Sequence, residues 1–257
     1  MRENVQPSRI ALASALIGLG ILGFIYGNSA AIWEPIPKAL PSRSAVIYLC
    51  AAIELAAGIG LLMRSSVLLA CRVLVPFLVL WLVLLKLPGL LLQPKVVVRW
   101  EQFGETAAIL AGAWCLFAVH AGAWEQRHLK FAVGDSGIRL ARLLLIAALA
   151  MFGVAHFAYA DLTASLVPNW MHFPFGWTYL TGAASLAAAA GMLFGIYPRL
   201  AVNLEAAMLW TFTIFVWVPR IASTPNDQEI WTEFLISAAI AAGVWLVAGT
   251  YQHRPAG

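Results

Sequence analysis

Few side chains in this sequence combine reactive chemistry with an unusual setting. Glu54 lies in the run Ala51-Ala52-Ile53-Glu54-Leu55-Ala56-Ala57, an acid among apolar neighbours. His156 stands near the end of another apolar run. His172 falls in a stretch crowded with rings: Trp170, Phe173, Phe175 and Trp177. Arg72 and Glu205 are isolated opposite charges inside two further apolar runs. A charge in such surroundings is costly, so it is paired, neutralised or turned towards water. Two readings of Glu54 stand side by side. One is a proton-linked or ligand-binding acid; the other is a protonated acid hydrogen-bonded to a neighbouring helix. His156 reads as an interfacial hydrogen-bonding histidine or as part of a site. The aromatic stretch reads first as an interfacial belt, and second as a surface for stacking a ring system or lipid headgroup.

The cysteines offer less. Cys50, Cys71 and Cys115 all lie in apolar runs, without a C-x-x-C pair and without His or Cys at metal-ligand spacing. They read as small packing residues, and no metal site is expected.

The elements that must position these residues follow from composition. Hydrophobic residues make up 62% of the 257 and charged residues 11%, against roughly 45–50% and 25% in soluble domains. A bilayer can hide that much apolar surface, at about 20 residues per spanning helix. The apolar runs are 10–26, 46–63, 67–87, 106–119, 140–160, 178–194, 200–218 and 233–251. The fourth is short and needs part of 100–105 to span. The basic residues are scattered between these runs, which argues for topology and against nucleic acid.

The chain repeats itself. The step that carries Tyr48 to Tyr179 also carries Gly60 to Gly191, Pro88 to Pro219, Pro94 to Pro225, Trp100 to Trp231, Phe103 to Phe234, Gly112 to Gly243 and Trp114 to Trp245. Pro37 falls on Pro168 in the same step, and a one-residue shift places Gly23 on Gly153. The expected architecture is an all-α membrane protein of eight transmembrane helices in two parallel four-helix repeats. The repeats are 1–123 and 139–257, joined by a polar connection over 124–138. The first run has a counterpart at the start of the second half, which argues against a cleaved signal peptide. An even number of spans per repeat predicts an axis along the membrane normal. Lys and Arg favour the side of the termini, which predicts a multi-pass cell-membrane protein with both termini cytoplasmic.

These features resemble a known family. Gly153-Val154-Ala155-His156 closes a first helix, Val167-Pro168-Asn169-Trp170 follows in a loop, and Thr181-Gly182 through Gly191-Met192-Leu193 fills a second helix. The first half shows a similar skeleton in Glu54-Leu55 followed by Gly58-Ile59-Gly60-Leu61-Leu62. Together they resemble the DoxX-like family of small four-helix membrane proteins, here as two tandem copies. Some members are membrane subunits of a thiosulfate:quinone oxidoreductase and others accompany redox maturation. The resemblance therefore implies a redox partner subunit and, as its one cofactor candidate, a quinone. The thiol-bearing pattern of some members is absent. Glu54 has Ser185 as its counterpart and His156 has Tyr26, so neither repeat keeps both groups.

The expectation is a non-catalytic membrane module that binds a lipophilic ligand or a partner subunit, in contact with membrane lipids. The alternatives are a quinone-linked oxidoreductase subunit and a small-solute transporter. Its ligand site is expected in the outer half of the membrane, lined by Glu54 and His156 and covered by Trp170, His172 and Trp177. Arg72 and Glu205 are expected to pair across the repeats. Glu101 and Glu233, in Trp100-Glu101-Gln102-Phe103 and Trp231-Thr232-Glu233-Phe234, read as first-turn acids suited to the helix dipole.

Overall fold

The computed structural model describes residues 6–251 except 29, 31, 32 and 34. Eight of its helices are long and apolar enough to cross a membrane. In chain order they are α1 (Gln6–Tyr26), α2 (Arg43–Leu62), α3 (Val67–Leu92), α4 (Val97–His120), α6 (Gly134–Ala158), α8 (Pro174–Phe194), α9 (Pro198–Ser223) and α10 (Gln228–Gly249). Two short helices intervene, α5 (Ala123–His128) and α7 (Ala160–Leu166). The short fourth apolar run is completed as expected, because α4 begins at Val97 and takes in the whole Trp100–Glu105 segment.

The two halves keep one register. Five-residue π turns interrupt α3 at Leu82–Lys86 and α9 at Thr213–Trp217, at equivalent positions. Proline explains both. Pro88 and Pro219 lack the N–H that would serve the carbonyl four residues back, and their rings would collide with it. Widening the preceding turn relieves that clash and lets each helix run on. These helices therefore pass the points, Leu87 and Val218, where the apolar runs seemed to stop. Before α2 and α8 the chain turns through left-handed residues at matched positions, Ser42 (φ 56°) and Phe173 (φ 61°). Trp100 and Trp231 each donate their indole N–H to a proline carbonyl, Pro94 at 2.9 Å and Pro225 at 2.8 Å.

The helices pack as a closed ring. α1 lies on α2, α2 on α3, α3 on α4, α4 on α6, α6 on α8, α8 on α9, α9 on α10, and α10 returns to α1. The first helix of each repeat thus packs along the fourth helix of the other, and the repeats are interlocked. α4 and α10 also meet across the middle of the ring. Small residues allow that approach: a Cβ on Gly112 would stand 2.4 Å from Gly243 Cα, and one on Gly243 would stand 2.7 Å from the Ala108 carbonyl oxygen. Contact between two equivalent glycines on helices running the same way places the pseudo-twofold axis there, along the helix direction. Helix association in lipid depends on this close packing, since lipid supplies no hydrophobic drive between helices.

The start of α1, the end of α10 and α5 lie on one face, called the terminal face below. Its connections are fastened by charge. Arg72 Nε donates to Glu125 Oε1 at 2.6 Å, and the Gly122 N–H donates to Glu125 Oε2 at 3.0 Å. Arg142 donates to the Thr250 hydroxyl at 3.0 Å and to its carbonyl at 2.7 Å, and lies 3.7 Å from the Tyr251 ring centroid. Burial raises the Glu125 carboxyl pKa, but hydrogen bonds from the backbone and from Arg72 outweigh it and hold the group below its ordinary range. The expected Arg72–Glu205 pair is therefore replaced. Arg72 sits at the start of α3, one turn from the terminal face, and the nearer acid takes it.

Candidate ligand cavity

The opposite, distal face carries the candidate site. It is a cavity of about 350 Å³ formed by α4, α6, α7, α8, α9 and α10, with the 167–171 loop over it. Both repeats contribute walls. The first supplies Glu101 and Glu105 from α4, one turn apart on one helix face. The second supplies Glu233 and Ser237 from α10 and His156 from α6. The remaining wall is mostly apolar and aromatic, including Met208, Phe212, Trp217 and Trp177. Volume and lining fall within the usual form of a small-molecule site, roughly 300–1,000 Å³ with a few convergent polar groups.

Local packing sets these side chains. His156 is held at the end of α6, where Nδ1 lies 2.8 Å from the Phe152 carbonyl. α6 and α8 approach closely through Gly153 and Gly182, and a Cβ on Gly182 would stand 2.7 Å from His156 Cβ. On the floor, Thr178 and Thr181 turn their hydroxyls to their own helix carbonyls, so they add little polarity. Lys86, buried on the π turn of α3, is near enough to act on Glu105 through its charge.

Glu101 and Glu233 were read from the sequence as helix-start residues, and the structure corrects this. α4 begins at Val97 and α10 at Gln228, so Glu101, Glu105 and Glu233 lie beyond the first turn, where the dipole benefit has faded. Asp227 caps α10 instead, accepting from the Glu229 and Ile230 N–H groups. One signal was available. Trp100-Glu101 and Trp231-Thr232-Glu233 fall in register on the two helices that meet at the axis, which brings their acids towards one another.

Glu54 and His156 do not share this cavity. Glu54 lines a separate space of about 20 Å³ between α1, α2 and α10, where the buried Trp33 donates its indole N–H to Glu54 Oε1 at 2.5 Å. The physical reason is the ring order, which sets α2 beside α1 and α3 and sets α6 beside α4 and α8. Of the three aromatic-stretch residues, only Trp177 reaches the cavity wall. Trp170 is 63% exposed and stands edge-on to Phe215, while His172 is exposed and its carbonyl accepts from Trp177 Nε1 at 3.0 Å. Glu205 is buried on α9 and accepts from the Ser185 hydroxyl at 2.9 Å. Ser185 occupies the position equivalent to Glu54, so each repeat keeps a buried carboxylate near this point, carried on α2 in one and on α9 in the other.

Among the described residues no group of three or more His, Cys, Asp or Glu is placed to hold a metal ion.

Comparison with known proteins adds one finding. Residues 145–249, most of the second repeat and most of the cavity's lining, match the model of a family described as a domain of unknown function, DUF8561. Nothing among the curated proteins and nothing among the solved structures matches the chain.

Proposed function

We propose that this protein is a non-catalytic module of the cell membrane that holds a lipophilic small molecule in the distal cavity. The observation that carries this reading is the cavity itself: about 350 Å³, largely apolar, with Glu101, Glu105, His156 and Glu233 on its walls. With both termini cytoplasmic, as the Lys and Arg distribution favours, the cavity opens in the outer half of the bilayer. The resemblance to the DoxX-like family, as two tandem copies, belongs to the same proposal and supplies its redox partner subunit.

The test is native mass spectrometry of the full chain released from mild detergent. A small molecule is expected on the wild-type protein and not on Thr181→Trp, whose ring fills the cavity. Equal retention by both proteins, or none by either, overturns the reading. The matched π turns favour a second reading, solute transport, because paired irregular helices in equivalent halves commonly flank transport sites. Solute flux in liposomes, abolished by Thr181→Trp, distinguishes it from binding alone.

A further inference from the structure

The distal cavity does not end at its floor. Met208 lines it and also lines a groove of about 590 Å³ between α8 and α9, nearer the terminal face. The two spaces lie along one seam. On α8 the cavity is walled by Thr178 and Thr181, and the same helix face continues into the groove with Ala184, Ala188 and Gly191, at steps of three or four residues. On α9 the face runs from Phe212 and Met208 in the cavity to Glu205, Ala201 and Tyr197 in the groove, at the same steps. Alanine and glycine give α8 no side chain beyond Cβ along the groove, which keeps it open. Ala187, Ala190, Leu200 and Leu204 on its walls are exposed, so it opens sideways towards lipid, and α9 is the least buried of the eight spans. The acid on its wall, Glu205, is engaged by the Ser185 hydroxyl at 2.9 Å. From Met208 to Tyr197 the helix rises about 16 Å, room for a chain of roughly a dozen carbons.

We infer that the cavity and the groove hold one molecule, a single-tailed amphiphile whose head sits in the distal cavity and whose tail passes Met208 into the α8–α9 groove. The head is uncharged and bears hydroxyls. Three acids and His156 line the cavity, Lys86 lies beside Glu105, and Arg220 lies over Trp217, 5.4 Å from its ring centroid. Charges of both signs meet there, and a hydroxyl, which both donates and accepts, suits such walls better than an ion. This rests on the proposed lipophile-binding reading and narrows it: a second tail has no place, because the groove is one seam between two helices.

The experiment uses the full chain in lipid nanodiscs and two photoactivatable probes at equal mole fraction. One is a monoacylglycerol with a diazirine at mid-tail, and the other is a phosphatidylcholine with the same diazirine in one of its two tails. Crosslinked sites are mapped by peptide mass spectrometry. The bilayer already shelters a tail, so the groove alone gives little preference. A head hydrogen-bonded to an ionised group in the cavity should favour the monoacylglycerol by about tenfold in labelling of 184–204. Thr181→Trp, which fills the cavity, should bring that labelling down to the phosphatidylcholine level. Ala187→Trp with Ala190→Trp, which fills the groove from its exposed side, should remove it for both probes. Should a variant fail to fold, the two-probe comparison on the unaltered chain still decides. Equal labelling by the two probes means that the groove holds ordinary bilayer chains, which overturns the inference and leaves the lipophile reading standing. Monoacylglycerol labelling that Thr181→Trp leaves unchanged overturns it too, and so does the absence of labelling in 184–204. In that last case the copurification result decides separately whether a lipophile occupies the cavity.

Discussion

At the residue scale, what matters is which partner each ionisable group meets. Glu54 was legible as a buried acid needing a partner, and it has one in Trp33. Which donor that would be was not legible, because residue 33 lies in a loop whose path depends on the packing of α1 and α2. Replacing Trp33 with Phe removes the N–H and should lower stability by about 1–3 kcal/mol, read from the shift of the thermal midpoint in detergent. His156→Ala should weaken retention of a copurifying molecule by about tenfold if one hydrogen bond is lost, whereas Glu54→Gln should leave it unchanged. Equal effects of both variants would return Glu54 to the site. Glu125 makes a pH prediction. Its folded pKa is held down, so its contribution to stability is complete above the unfolded value of about 4.3 and is lost as pH falls through the folded pKa. Unfolding midpoints measured from pH 7 downward should therefore fall more steeply in acid for the wild type than for Glu125→Gln. Parallel curves would show that Glu125 does not carry the link.

At the element scale, eight spans were readable because apolar runs of bilayer length have no other stable fate. Helix ends were read less well at prolines. Pro88 and Pro219 look like stops, and the π turns that carry α3 and α9 past them leave no trace in hydropathy. The matching of Gly112 with Gly243 was visible, but that the two glycines touch was not. Contact depends on how the repeats face each other, which a self-comparison of the sequence leaves open. Gly112→Ala puts a methyl group against Gly243 Cα and should cost about 1–3 kcal/mol through overpacking. The thermal midpoint of the purified variant checks it. The same substitution at Gly89, where the nearest atom is 3.7 Å from the added carbon, serves as the control and should cost little.

At the scale of the whole molecule, the exchange of first helices ties the two repeats into one ring. The sequence suggested two successive units, and nothing in it signals that α1 belongs against α10 and α6 against α4. Severing the chain within 129–133 and expressing the halves together should give a complex that copurifies, while either half alone loses the helix its first span packs on. That same interlocking puts Glu101 and Glu105 of the first repeat into a cavity built mainly from the second. The central claim is that this cavity holds a small molecule, and a cryo-electron microscopy map of the protein in lipid nanodiscs tests it most directly. The account predicts density for a non-protein molecule between Met208, Phe212 and the acids of α4 and α10. A cavity closed by its own side chains, or holding only water, would contradict it.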